Sequence, residues 1–136
     1  MPAFRLLIEH AHHTPGEFDE RPASPDEVLD AYDRFDWLGE VRRAEDLQRV
    51  SPTNSVQSPD DRLIWVSAVG TPKGLEFVSE YAYLGIIKFF FGLWKGPGRV
   101  AVDRQSFTPV EARRALELFL ADEHESLLQL YRGAAL

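Results

Sequence analysis

The fold is decided by residues 62–83, which read RLIWVSAVGTPKGLEFVSEYAY. β-Branched and aromatic residues dominate 62–69, a composition that favours a strand. Residues 70–74 have the length and composition of a hairpin turn. The residues from 75 to 83 then alternate between two faces, which is the period of a second strand. The stretch therefore predicts an antiparallel pair of strands.

Two other segments carry the same helix-start signal. In Ser24-Pro25-Asp26-Glu27 and in Thr108-Pro109-Val110-Glu111, a hydroxyl residue is followed by proline and, three positions on, by glutamate. The hydroxyl can accept a hydrogen bond from a backbone N–H of the first helical turn, and proline suits the first helical position. The glutamate completes a capping box by accepting from the backbone N–H of the hydroxyl residue. We predict helices over 25–36 and 109–121, with a break or a further helix starting at 122–125.

The remaining segments give weaker signals. A loose alternation predicts a strand over 3–10, and proline and glycine predict a loop over 12–22. Residues 37–50 are compatible with a short helix or with a strand pair. Turns are predicted at 51–54 and 58–61, and 55–57 between them are compatible with a short strand. The sequence Lys95-Gly96-Pro97-Gly98 predicts a turn, and 99–105 alternates like a strand.

Together these elements predict an α+β protein. The 136 residues have the size of one domain, so we treat 1–136 as a single globular unit. Both capped helices have one apolar side, which packing on one face of an antiparallel sheet would bury. We therefore expect an antiparallel sheet of about four to six strands with the helices on one face.

The most hydrophobic run is YLGIIKFFFGLW, residues 83–94. It is shorter than the roughly 20 residues that a membrane-spanning helix needs, and it contains Lys88. Core strand, core helix and exposed interface all remain open; if exposed, residues 81–94 are the candidate dimer interface. The first residues lack the apolar length of a signal peptide. We expect a cytoplasmic protein without a membrane partner.

The charge of the chain is unevenly distributed. Of 22 acidic and 15 basic residues, residues 1–61 carry 14 acidic and six basic, whereas 62–136 carry eight acidic and nine basic. The acidic excess argues against nucleic-acid binding, which requires cations for the phosphates. An asymmetry of this kind is typical either of an interaction surface or of a merely solvated one.

Part of this charge follows the first predicted helix. Asp26, Asp30 and Asp33 have i, i+4, i+7 spacing and so form one stripe. Asp33 and Asp36 lie toward the carboxyl end of the predicted helix, where negative charge opposes the helix dipole. Residues that oppose local stability invite a functional explanation.

Few residues form a pattern typical of a catalytic or metal site. His10 and His12 share a strand face and, with His13 and Glu9, Glu17 or Asp19, resemble metal-ligand spacing; a polar strand edge explains them as well. The chain has no cysteine, and it lacks the motifs of a nucleophile elbow or a phosphate loop. We therefore predict no enzyme activity, no metal and no cofactor.

Two functions are compatible with these observations. The first is a non-catalytic acidic binding protein, specifically a bacterial immunity or inhibitor protein that neutralises a toxin with a basic active-site cleft. Its predicted partner-binding residues are Asp26, Glu27, Asp30, Asp33, Asp36, Trp37, Asp60 and Asp61. The alternative is a small-molecule binding domain, with an aromatic-lined cup between the sheet and the C-terminal helix.

Overall fold

The computed structural model describes residues 4–11, 18–47, 51–72, 74–89 and 94–133. The strands are β1 (Phe4–Glu9), β2 (Asp19–Ala23), β3 (Thr53–Gln57), β4 (Leu63–Thr71), β5 (Gly74–Phe89) and β6 (Trp94–Phe107). The helices are α1 (Pro25–Arg34), α2 (Trp37–Leu47), α3 (Pro109–Leu120) and α4 (His124–Tyr131).

The strands form one antiparallel sheet in the order β2-β1-β3-β4-β5-β6. The predicted hairpin is confirmed, since β4 pairs with β5 from Leu63 opposite Ala82 to Thr71 opposite Gly74. Alternate residues of the strands are buried in one core with residues of all four helices; among them are Leu6, Val56, Ile64, Phe77, Val28, Val41, Leu116 and Leu127. The helices therefore cover one face of the sheet, and the predicted α+β class is confirmed.

Both capping boxes form as predicted. The Ser24 hydroxyl accepts from the Glu27 backbone N–H at 3.2 Å, and the Glu27 carboxylate accepts from the Ser24 N–H at 2.9 Å. Thr108 and Glu111 repeat the exchange at the start of α3, with both distances 3.1 Å. These local interactions fix where each helix leaves the sheet.

The predicted loop over 12–22 is wrong from Asp19 onward, because Asp19–Ala23 form the edge strand β2. Arg5 of β1 lies opposite Pro22, and the Arg5 guanidinium donates to Glu20 at 2.6 Å. Proline lacks an N–H but is tolerated on an edge strand, where one side of the backbone has no neighbour. Long-range pairing with β1 therefore overrides the local breaker signal.

The predicted turn at Lys95–Gly98 is also wrong. These residues belong to β6, where Gly96, Pro97 and Gly98 lie opposite Ile87, Ile86 and Gly85 of β5. β6 is the other edge of the sheet, and edge strands accept proline and glycine. The connection between the two strands falls at 90–93, outside the described residues.

Residues 37–47 form α2, and α1 ends at Arg34 rather than at Asp36. The predicted turn over 51–54 is wrong for Thr53 and Asn54, which begin β3 because they pair with β1 and β4. Phe35 is extended, with ψ 132°, and it separates the two helices. The C-terminal segment forms a fourth helix, α4, after a turn at Ala121 and Asp122. Within the described ranges, none of the helices combines the length and the apolar character needed to cross a membrane.

Candidate functional site

The acidic residues of the predicted binding face are all exposed: Asp26, Glu27, Asp30, Asp33, Asp36, Asp60 and Asp61. The first four lie on α1. Asp60 and Asp61 lie in the turn between β3 and β4, at the end of the sheet where α1 begins, because Ala23 and Gln57 both flank the start of β1. The structure thus places the two acidic groups at one end of the sheet but on different elements.

Two acids of the α1 stripe are paired with arginines. Asp33 accepts two hydrogen bonds from Arg113 of α3, at 2.8 and 2.9 Å, which hold the pKa of the Asp33 carboxyl below its usual range. Asp30 accepts from Arg34 at 2.9 Å, one turn along α1. Asp33 therefore joins α1 to α3, which runs antiparallel to it. Asp26 has no ion-pair partner among the described residues.

Glu27 and Asp36 have local structural roles. Hydrogen bonds from the Ser24 backbone and side chain lower the pKa of Glu27. Asp36 precedes α2, and its carboxylate accepts from the Gly39 N–H at 3.2 Å, which makes it the N-terminal cap of that helix. The expected conflict between Asp36 and the α1 dipole does not arise, because Asp36 stabilises the start of the next helix.

Trp37 lies in the core and is 8% exposed. Its indole N–H donates to the Tyr32 carbonyl at 3.0 Å. Its ring centroid lies 4.3 Å from that of Phe35 and 4.9 Å from that of Phe77. The indole anchors the junction of α1 and α2 to the sheet, so this placement does not favour Trp37 as a contact for a partner.

The turn acids Asp60 and Asp61 are tied to their own surroundings. Asp60 accepts from the Ser58 hydroxyl and from Arg62 Nε, which together lower the pKa of its carboxyl despite partial desolvation. Asp61 pairs with Arg99 of β6 at 3.2 Å. Asp61 therefore joins the turn to β6 rather than to α1, and Asp60 holds the turn together.

A groove of about 510 Å³ runs between α1, α3 and the start of α4. Its apolar lining includes Leu29 of α1 with Leu118 and Leu120 of α3. Its polar lining consists of Glu117, which pairs with Arg113, the exposed Glu123, the exposed Arg114 and Ser126. The acids of the α1 stripe do not line the groove; Asp26 and Asp30 each follow a lining residue, Pro25 or Leu29, by one position, which places them about 100° around the helix from it.

Sequence reasoning missed a cluster around Arg62. The Tyr81 hydroxyl lies 2.8 Å from His124 Nδ1, and the Arg62 guanidinium lies 4.9 Å from the Phe119 ring centroid. Arg62 also pairs with Asp122 at 3.4 Å. Burial raises the pKa of Tyr81, although Arg62 opposes the shift. Asp60 and Asp122 balance the charge of Arg62. Through these contacts the cluster connects the start of β4 to β5 and to the α3–α4 turn.

A second missed pair joins His10 to Glu40. His10 Nδ1 lies 2.5 Å from Glu40 Oε1, and Arg43 Nε donates to the other oxygen of Glu40 at 3.1 Å. Burial raises the pKa of Glu40, but the hydrogen bonds from His10 and Arg43 outweigh it and the net shift is downward. Sequence spacing gives no signal for this contact, because the residues come from different elements.

Of the candidate metal ligands, Glu9, His10 and Asp19 are among the described residues. His12, His13 and Glu17 lie outside the described residues. In the ranges that are described, no group of three or more histidine, aspartate or glutamate side chains is arranged to hold a metal ion.

Aromatic rings fill the interface between the sheet and the C-terminal helices. The ring centroids of Tyr81 and Phe119 lie 5.9 Å apart, and those of Phe107 and Tyr131 lie 5.3 Å apart. The Tyr131 hydroxyl lies 2.5 Å from the Ser79 hydroxyl. Rings that contact one another in this way do not favour an aromatic-lined cup at this position.

No protein-family model matches the chain, and no curated protein or solved structure is significantly similar to it.

Proposed function

We propose that the protein is a non-catalytic binding protein for a basic protein partner, and that it acts as a bacterial immunity or inhibitor protein that neutralises a toxin. The observation that carries the proposal is the acidic stripe of α1 beside the groove between α1, α3 and α4. Charge and apolar surface then lie side by side, and protein interfaces combine an apolar centre with a polar rim.

The exposed acids contribute to the rate of association. An acidic surface attracts a basic cleft over a distance, and it accelerates encounter more than it strengthens the final complex. Asp26 carries most of this effect, since Asp33 and Asp30 already have arginine partners that reduce their field. Glu123 adds a further negative charge at the groove, which the exposed Arg114 of the same lining partly offsets.

The groove contributes to the lifetime of the complex. An apolar side chain of the partner placed against Leu29, Leu118 and Leu120 would remove apolar surface from water, which stabilises by roughly 25 cal/mol per Å². Buried anchors of this kind dominate the dissociation rate of most interfaces. The toxin would be inhibited because the bound protein occludes its basic cleft.

Binding kinetics test whether the acids of α1 accelerate association with the partner. The probe is the purified product of the gene adjacent to the coding sequence of this protein. We expect the double variant Asp26→Lys with Asp30→Lys to reduce the association rate about tenfold at low salt, and the difference to shrink at high salt. The matched control is Glu76→Lys with Asp103→Lys, which makes the same charge change on the helix-free face of the sheet.

Ala121→Glu tests the groove separately. This substitution adds an acid, which favours a basic partner, but it also fills part of the groove, which hinders an inserted side chain. We expect faster dissociation. An unchanged dissociation rate, an equal loss in the control pair, or no binding to the neighbouring gene product would overturn the proposal.

A further inference from the structure

The face of the sheet that carries no helix has a depression along β3. Ser55 lies on this face, because its neighbours Asn54 and Val56 are buried on the other. In register, Ser55 lies between Leu7 of β1 and Trp65 of β4. A short side chain between two long ones leaves space, and a depression of about 300 Å³ is found here. We call it the trough, and its lining is Glu9, Thr53, Ser55, Trp65 and Ser67.

Trp65 is the large apolar group of the trough. It is half-buried, and within the described structure its ring contacts no other aromatic ring and its indole N–H has no hydrogen-bond partner. Trp37, in the core, has both kinds of contact. The residues opposite Trp65 on the neighbouring strands are Ser55 and Glu80, which are polar. A broad apolar ring is therefore available to a ligand in the trough.

Hydroxyl and carboxylate oxygens accompany the indole. The hydroxyl oxygens of Thr53 and Ser67 lie 2.9 Å apart, and each also lies near a backbone carbonyl oxygen, at 3.0 and 3.3 Å respectively. These contacts hold the two oxygens in place, and each keeps a lone pair that can accept from a ligand. The Ser55 hydroxyl and the Glu9 carboxylate have no hydrogen-bond partner among the described residues.

This lining determines which ligand chemistry fits. Neither lysine nor arginine is among the described residues that line the trough, which disfavours phosphate-bearing ligands such as nucleic acids. β1 and β4 are two strand spacings apart, about 10 Å, and a helix with its side chains is about 10–12 Å wide. A sugar ring has a face of C–H groups that packs on an indole and a rim of hydroxyls that exchange hydrogen bonds with oxygens. Both parts of the lining are used by such a ring.

We propose that the trough binds a neutral saccharide, with one sugar ring packed on Trp65 and its hydroxyls bonded to Ser55, Glu9 and the Thr53–Ser67 pair. The volume is at the lower end of the range for ligand pockets, about 300–1,000 Å³, so the trough holds a short part of a longer sugar chain. A cation would also be attracted by an indole and a carboxylate, but it would leave the hydroxyls of the lining unused.

Isothermal titration calorimetry of the full chain tests the site with three neutral hexasaccharides, namely cellohexaose, maltohexaose and chitohexaose. We expect at least one of them to bind with a Kd in the millimolar range or below. Trp65→Ala should weaken that binding about tenfold or more, because it removes the packing surface. Ser55→Val should weaken it as well, since valine suits a strand and leaves Trp65 in place but fills the trough.

Matched variants separate the trough from the rest of the surface. Glu9→Gln should reduce the affinity, whereas Glu76→Gln, on the same face but outside the lining, should not. Asp26→Lys with Asp30→Lys should also leave saccharide binding unchanged, because α1 packs on the opposite face; this proposal is therefore independent of the proposed function.

Circular dichroism establishes that each variant is folded. Three results would each overturn the proposal. The first is that none of the hexasaccharides binds at millimolar concentration. The second is that Trp65→Ala or Ser55→Val binds as tightly as the wild type. The third is that hexaarginine, rather than a saccharide, binds in a manner that depends on Trp65.

Discussion

At the scale of single residues, Asn54 is buried without compensation. It is 1% exposed, it lies in register between Ile8 and Val66, and neither polar atom of its side chain has a hydrogen-bond partner in the described structure. A buried polar group without a partner costs about 1–3 kcal/mol. The unsatisfied amide of Asn54 therefore lowers the stability of the core.

We therefore expect Asn54→Leu to raise the free energy of unfolding by about 1–2 kcal/mol, because it removes the unsatisfied groups and adds apolar burial. Chemical denaturation measures the change. The control is Ser79→Ala, which should lower stability, since the Ser79 hydroxyl donates to the Trp65 carbonyl at 2.7 Å and contacts the Tyr131 hydroxyl. A loss of stability in Asn54→Leu would contradict the prediction.

The His10–Glu40 pair gives a residue-scale prediction with a pH signature. The pKa of Glu40 is lowered in the folded state, so its carboxylate stabilises the fold above the unfolded pKa of about 4.3 and ceases to do so as the pH falls through the folded value. We expect Glu40→Gln to destabilise by about 1–3 kcal/mol at pH 7. Denaturation at several pH values should show the difference from wild type shrinking below about pH 4; a difference independent of pH would contradict it.

At the scale of elements, the junction of α1 and α2 depends on Asp36 and Gly39. A Cβ built on Gly39 would collide with the Asp36 carboxylate, so the glycine gives the cap its space. We expect Asp36→Ala to cost about 1 kcal/mol. Gly39→Ala should be neutral or destabilising in the wild type, but it should stabilise by about 1 kcal/mol in Asp36→Ala, where only helix propensity remains.

A double-mutant cycle by chemical denaturation measures this coupling. Asp36→Asn serves as the control because asparagine also caps helices and should retain most of the stability. If Gly39→Ala had the same effect in both backgrounds, the steric link between the two residues would be refuted.

The same elements show which parts of the fold can be predicted from sequence. The capping boxes of α1 and α3 are predictable because all their interactions lie within four residues. β2 and the start of β6 are not, since proline and glycine signal turns locally and only pairing with β1 and β5 converts them into strands. Asp36 illustrates the same limit, because its capping role depends on where α2 begins, and no local pattern specifies that residue.

At the scale of the whole molecule, the acidic surface is less negative than the sequence indicates. Sequence alone finds the exposed acids of α1, because a helical stripe is a local pattern. It does not find Arg113 beside Asp33 or Arg99 beside Asp61, since these contacts depend on how α3 and β6 pack. The groove beside α1 is unpredictable for the same reason. A partner of the proposed kind would therefore meet a surface on which Asp26, which has no ion-pair partner among the described residues, contributes most of the negative field.

The paired carboxylates also determine how the whole molecule responds to acid. Glu27, Asp33, Glu40 and Asp60 all have lowered pKa values in the folded state. A lowered folded pKa gives stability that is present above the unfolded value, about 3.9–4.3, and is lost as the pH falls through the folded value. We expect the urea midpoint to be nearly constant from about pH 6 to 8 and to fall below about pH 4.

Repulsion among the acidic residues has the opposite effect on the urea midpoint. Protonation also relieves the repulsion within a molecule of net charge −7, which would raise stability on mild acidification. Paired groups should dominate, because exposed unpaired acids repel only weakly at physiological ionic strength. Asp33→Asn removes the carboxylate held by Arg113, so the urea midpoint of this variant should fall less steeply below about pH 4. Asp103→Asn, on the face of the sheet that carries no helix, should leave that fall unchanged. A midpoint that rises between pH 5 and 3 would show that repulsion outweighs pairing.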